Sequence, residues 1–161
     1  MAIHKLYIDE IDVVNYSLIA IHTNLDDFRL AFFINKQLNL RLIKNDKNIS
    51  IPIKELDVFY ENFIYQNNDD GTDWCLFQNK NTILIKNNND VIDLFFENKL
   101  ESKKQVYFLS DFKKVDFFLK INHSDTINVQ DIINSINKIY QVTTVYSIDI
   151  KKIKNTNNLI F

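Results

Sequence analysis

The hydrophobic residues follow a strand pattern near the start of the chain and a helix pattern soon after it. The run "YSLIAIH", residues 16–22, is largely apolar, which predicts a buried β-strand. A helix is expected next, ending at about Leu38. Asn24 is placed to cap its first turn, and Asp26 and Asp27 suit the positive N-terminal end of a helix.

A second helix is predicted from a single apolar stripe. In "SDTINVQDIINSINKIY", residues 124–140, apolar side chains recur at helical spacing. The stripe consists of Val129, Ile132, Ile133, Ile136, Ile139 and Tyr140. The alternating segment "QVTTVYSIDI" that follows predicts a closing strand.

Short β-forming runs fill the middle of the chain. They are "VFYENFIY", "WCLF", "TILIK", "VIDLFF", "KQVYFLS" and "VDFFLKIN". The chain has one Gly and one Pro, so Asn and Asp are expected to form the turns, as in "QNNDDGTD" and "KNNND".

The order strand, polar turn, helix, strand occurs twice. The first copy is "NYSLIAIHTNLDDF" with "LNLRLI", and the second is "VDFFLKINHSDTINVQDII" with "QVTTVYSI". His22 and His123 stand at equivalent strand ends. The sequence therefore predicts an α+β fold, an antiparallel sheet with two main helices. Its two β-α-β units would be ferredoxin-like or ACT-like, with extra strands between them. A length of 161 residues fits a single domain, residues 1–161.

Composition narrows the functional classes. A formal net charge of -2 gives no global attraction to nucleic acid or acidic membranes. Apolar runs such as "LIAI" are too short to cross a bilayer, and the acidic N-terminal segment does not fit an export signal. We therefore expect a cytoplasmic protein that does not bind a membrane. A single cysteine, Cys75, excludes an internal disulfide and a thiolate-rich zinc site.

The first predicted helix is apolar around most of its circumference. One face can rest on the sheet, but the face near Leu30, Phe33 and Ile34 is then expected to need another cover. The cover is either a loop or the C-terminal tail of the same chain, or a partner protein or second copy. These three residues are our candidates for partner binding.

Two acidic residues and two histidines are the candidates for chemistry. Asp111 and Asp116 flank two lysines in "LSDFKKVDF", but residues five apart on a strand face opposite sides. The lysines would also favour ionised carboxylates, which does not suit a general acid. We interpret the segment as a structural corner. His22 and His123 are candidate ligand residues, but three histidines in the chain and no paired spacing give no metal site.

The segment "FLSDFKKVDFFLKI" resembles the motif of the IPExxxVDY family of uncharacterised bacterial proteins. Residues 109–111 stand where the motif has Ile-Pro-Glu, and residues 115–117 where it has Val-Asp-Tyr. Ser110 replaces the proline and Phe117 the tyrosine, so what is kept is shape, aromatic bulk and two acids. "YSLIAIHTNLDDFRLAFFINKQLNL", "DWCLFQNK" and "NNLIF" are also similar to the family. The resemblance implies a lineage and leaves the activity, cofactor and partner open.

Together these patterns favour a non-catalytic protein that works by binding. One glycine cannot build a Gly-rich phosphate loop, and no cofactor is expected. The leading hypothesis is a protein-interaction module or homodimer. The alternatives are an ACT-like small-ligand sensor, with its ligand near His22 and His123, and an RNA-binding accessory protein. The RNA hypothesis rests on the aromatic run "VFYENFIY" and the basic "KKIK", without the glycine-containing signature of RNA-recognition sheets.

Overall fold

A computed structural model describes residues 16–54, 56–86 and 101–161. Two helices lie in these ranges, α1 at Asp27–Leu38 and α2 at Val129–Ile136. The strands are β1 Tyr16–Thr23, β2 Ile43–Lys44, β3 Ile49–Ile53, β4 Leu56–Tyr60, β5 Asn62–Asn67, β6 Thr72–Gln78, β7 Lys80–Lys86, β8 Glu101–Tyr107, β9 Phe117–Asn122 and β10 Val142–Ser147. The predicted α+β class, with a mainly antiparallel sheet and two helices, is confirmed. The number of strands is higher than predicted, and the predicted strand "VIDLFF" lies outside the described residues.

Local polar contacts set the ends of α1. The side chain of Asp26 accepts a hydrogen bond from the backbone N–H of Arg29, so this residue and not Asn24 caps the helix. The helix ends at Leu38, as predicted. Asn39 follows in the left-handed conformation with φ 54°, and its backbone N–H donates to the carbonyl of Asn35.

Six strands form the main sheet in the order β10-β1-β9-β6-β5-β2, and every neighbouring pair is antiparallel. Strands β9 and β10 both flank β1, so the segment β9-α2-β10 joins two parallel strands with one strand between them. The other predicted β-α-β unit differs, because β2 is two residues long and lies at the far edge of the sheet from β10.

Each face of this sheet carries its own hydrophobic core. Along β9, Phe117, Leu119 and Ile121 point to the helices, while Phe118 and Lys120 point to the opposite face. The hairpins β3–β4 and β7–β8 and the C-terminal segment supply residues to the core on that opposite face. The sheet is therefore covered on both sides, and a lysine at the centre of β9 is buried with the second core.

Candidate ligand-binding cleft

The predicted partner-binding face of α1 is not the exposed face. Leu30 and Ile34 are completely buried in the core beneath the helices, and Phe33 is half-buried against that core. The exposed aromatic residues of α1 are Phe28 and Phe32, with 56% and 62% of their surface accessible. The prediction was wrong because apolar residues lie on nearly all sides of α1, so the sequence of the helix does not indicate which side is buried. The buried side is set by the tertiary core around Leu30 and Ile34.

The two candidate histidines lie at opposite ends of the sheet. His22 is at the end of β1, where its ring stacks on Tyr146 and its Nε2 lies 3.4 Å from the Tyr146 hydroxyl. His123 follows β9, which runs antiparallel to β1, and its Nε2 lies 3.0 Å from the Ser17 hydroxyl. Five residues of strand between Ser17 and His22 span about 16 Å. The two rings do not share a site.

Asp116, just before β9, bonds to residues of both β1 and β7. Its carboxylate accepts a hydrogen bond from the backbone N–H of Thr23 at 3.0 Å. Its other oxygen lies 2.6 Å from the amine of Lys80, and both side chains are partly shielded from water. The carboxylate thus has structural partners from β1 and β7.

Asp111 has a different set of partners. Its carboxylate accepts a hydrogen bond from the backbone N–H of Lys154 at 3.1 Å, which holds the C-terminal segment against the short 3-10 helix Ser110–Phe112. Asp111 and Asp116 therefore face different neighbours, as the interpretation of a structural corner expects.

A cleft of about 650 Å³ opens on the sheet face opposite the helices. Strands β5, β6 and β9 form its floor, residues 45–52 form one wall, and residues 157–161 form the other. None of the four candidate chemical residues from the sequence lines it, although Asn122, next to His123, does.

Lys120 is the unusual residue of this cleft, since it is only 5% exposed. Its amine donates a hydrogen bond to the carbonyl of Leu159 at 2.7 Å. The amine also lies 4.4 Å from the ring centre of Phe161 and 5.1 Å from that of Tyr16. No acidic side chain in the described part of the chain forms an ion pair with it. Burial therefore lowers the pKa of Lys120 from its ordinary value of 10.5.

Cys75 lies directly across from Lys120 in the β6–β9 ladder and also lines the cleft. Burial raises the pKa of its thiol to about 12, although the positive charge of Lys120 acts in the opposite direction. The thiol is protonated at neutral pH, so it contributes a small, weakly polar surface and no negative charge.

The rest of the lining combines amides with apolar surface. The amide residues are Asn45, Asn48, Asn62, Gln66, Asn122, Asn157 and Asn158. Ile160 and Phe161 are 80% and 46% exposed and present apolar surface at the wall. Lys47 and Asp73 are the remaining charged residues of the lining, and both are exposed. The chemistry available is one buried cation, many neutral hydrogen-bonding groups and an apolar wall.

Sequence reasoning missed Lys120, although a signal was present. In "FFLKI", residues 117–121, the lysine is the one charged residue in an otherwise apolar run, at a position that alternation assigns to one face. The sequence analysis predicts no cover over the second face of the sheet, so it gives no reason to expect this lysine to be buried. The cleft itself joins segments that are far apart in sequence, and no local pattern marks it.

The chain matches no protein-family model, and no curated protein matches it. The resemblance to the IPExxxVDY family stays a prediction from the sequence. Across residues 16–54, 56–86 and 101–161, no helix is long and apolar enough to cross a membrane. In the same ranges no cluster of three or more His, Cys, Asp or Glu side chains is arranged to hold a metal ion.

Proposed function

We propose that this chain is a small-ligand-binding protein and that its ligand is an organic carboxylate bound over Lys120. The observation that carries the proposal is the buried amine in the floor of an open cleft, with one carbonyl and two aromatic rings around it. An ammonium group has three N–H donors, and one hydrogen bond satisfies only one of them.

The energetic reason is the cost of burying a cation with which no acidic side chain of the described residues forms an ion pair. Lys120 is 5% exposed, so most of the water that would stabilise its charge has been removed. A ligand carboxylate would restore an opposite charge and accept the remaining hydrogen bonds. Charge-assisted bonds of this kind are shorter and stronger than neutral ones.

The charge balance of the cleft favours a monoanion. Asp73 sits on β6 beside Cys75, diagonal to Lys120 in the strand register, and its exposed carboxylate would repel additional negative charge. Phosphate, which carries more negative charge at neutral pH, is therefore a poorer fit. The exposed apolar side chains of Ile160 and Phe161 suit a ligand with an apolar body.

The sheet order supports a ferredoxin-like arrangement for this ligand-binding chain. Strands β10-β1-β9-β6 would represent its four-stranded core, with β2 to β5 inserted between α1 and β6. In this assignment the cleft is formed by two of the four core strands, β6 and β9, together with inserted residues 45–52 and β5 and with C-terminal residues 157–161. The ligand would bind on the sheet face and not at the strand ends near His22.

Calorimetric titration tests the function with pairs of probes that match in shape, in which a neutral amide replaces the carboxylate. Benzoate and hexanoate are the carboxylates, benzamide and hexanamide are the neutral counterparts, and inorganic phosphate is the dianionic comparison. We expect binding of a carboxylate, and weaker or no binding of its amide. A bound ligand also stabilises the fold, by about 2.7 kcal/mol when present at about 100 times its Kd.

The variant Lys120→Met removes the charge and keeps the length of the side chain. It is expected to weaken carboxylate binding about tenfold to hundredfold, because a charge-assisted hydrogen bond is lost. Lys47→Met is the matched control, since it removes an exposed positive charge from the same cleft and should change the Kd only a few-fold. Equal binding of acid and amide, or full binding by a folded Lys120→Met protein, would contradict the proposal.

A further inference from the structure

Strand β10 is an edge of the main sheet, and among residues 16–54, 56–86 and 101–161 no strand pairs with its outer side. The backbone N–H of Ile148 donates to the carbonyl of Leu18, which fixes the alternation of the β1–β10 ladder. In an antiparallel ladder every second residue bonds to the same neighbour, so the backbone N–H and C=O groups of Tyr146, like those of Ile148, face β1. The backbone groups of Val145 and Ser147 therefore point away from β1. These outward groups form a template for another strand.

The other free strand edges of the described residues carry features that oppose pairing, and β10 carries none. Charged residues or a proline occur on each of them: Lys44 on β2, Pro52 on β3, Asp57 on β4, Lys80 on β7, and Lys103 and Lys104 on β8. Strand β10 reads "VTTVYS", without charge, Pro or Gly and rich in β-branched residues. An uncharged edge of this composition is a favourable surface for strand addition.

We propose that β10 pairs with β10 of a second copy of this chain, antiparallel and about a two-fold axis at Tyr146. In this register Val145 of one copy faces Ser147 of the other, and each of these two pairs can exchange both backbone hydrogen bonds. The two main sheets would become one continuous sheet. A two-fold interface of this kind uses the same surface on both copies, which fits a strand that complements itself.

The side chains of β10 are also self-complementary in this register. Tyr146 would lie directly opposite Tyr146 of the second copy, in a non-hydrogen-bonded position where side chains come closest. Tyr146 is 37% exposed, and its ring already stacks on His22. Aromatic pairs across two strands stabilise a sheet, and no like charges face each other here.

The exposed aromatic face of α1 does not define its occupant in the same way. Phe28 packs edge-on against Phe63 of β5, so that face lies over the opposite half of the sheet. Nothing in its chemistry distinguishes a second copy from another protein. The protein-interaction hypothesis is therefore better supported at β10 than at α1. The outward backbone groups of β10 require another strand as the partner.

Sedimentation equilibrium of the full chain tests the proposal with two matched pairs of variants. Ser147→Pro removes one outward N–H that the β1 pairing does not use, so the monomer fold should tolerate it while dimerisation is lost. Ser147→Ala keeps that N–H and should remain dimeric. Tyr146→Lys places like charges opposite each other and should weaken the dimer about tenfold or more, whereas Tyr146→Phe should not.

Circular dichroism melting establishes that each variant is folded, and hydrogen exchange provides a second readout. The amide proton of Val145 should be protected in the wild-type dimer and exchange rapidly in folded Ser147→Pro. A wild-type protein that stays monomeric from micromolar to submillimolar concentration would overturn the proposal. So would a Ser147→Pro variant that remains folded and fully dimeric, because the interface would then lie elsewhere.

Discussion

At the scale of single residues, the cleft depends on where one lysine falls in the alternation of β9. Phe118 and Lys120 share a face, and the residues between and beyond them face the helices. A shift of one residue in register would place the amine under α1 and α2, where it would meet a wholly apolar core. The sequence predicts this alternation but not the cover over the second face.

The buried amine should make stability depend on pH. Because the pKa of Lys120 is lowered in the folded protein, the unfolded chain binds more protons than the folded one between the lowered pKa and 10.5. Stability therefore increases as pH rises through that window. We expect the free energy of unfolding of the wild type to rise with pH relative to that of Lys120→Met, measured by urea denaturation.

The difference between the two proteins is the useful quantity, because tyrosines titrate in the same pH range. Burial raises the pKa of Tyr60 to about 12 and also raises that of Tyr16, and these groups act in the opposite direction in both proteins. The pKa of the Cys75 thiol depends on the charge of Lys120, so the two proteins are compared in a Cys75→Ala background. A difference that stays constant with pH, or falls, would show that the pKa of Lys120 is not lowered.

At the scale of elements, the corner between β8 and β9 is stabilised by a side chain from a distant part of the sequence. The side-chain amide of Asn79 donates to the carbonyls of Phe112 and Val115, and its oxygen accepts the backbone N–H of Leu109. Asn79 is completely buried. The motif "LSDFKKVDF" predicts a turn, but its stabilising side chain comes about thirty residues earlier in the chain.

Replacement of this residue should destabilise the protein strongly. Asn79→Ala leaves the N–H of Leu109 and the carbonyl of Val115 without these partners, at a cost of about 1–3 kcal/mol for each unsatisfied buried group, whereas the carbonyl of Phe112 still accepts the N–H of Val115. Asn81→Ala is the control, because the two hydrogen bonds that it removes, to the carbonyl of Phe59 and from the backbone N–H of Thr82, are both exposed to water. It should cost about 1 kcal/mol or less. Equal stabilities of the two variants in urea would contradict this account of the corner.

The two helices show why one element is predictable and another is not. In α2 the apolar residues form one stripe, and Ile133 and Ile136 are buried as expected, with Ile139 buried just beyond the helix. Tyr140 is 87% exposed because the helix ends at Ile136 and the stripe stops with it. In α1 apolar residues surround the axis, so only tertiary packing selects the buried side.

At the scale of the whole molecule, the class of fold follows from local patterns and the sheet order does not. The position of β1 between β9 and β10 in the sheet depends on pairings between residues more than 90 positions apart. Ile19, for example, pairs with Leu119 on one side and with Ser147 on the other. No periodicity within a segment encodes that choice. The cleft depends on the same long-range order, because its floor and walls come from five separate segments.

Nuclear magnetic resonance of the Lys120 amine tests the central claim most directly. The side-chain ε signals of labelled lysine, assigned with Lys120→Met, report the pKa of this one group with and without benzoate. A carboxylate bound beside the amine stabilises its charged form, so the pKa should be low in the free protein and rise when benzoate is added. A pKa that benzoate leaves unchanged at saturation would contradict a carboxylate site over Lys120.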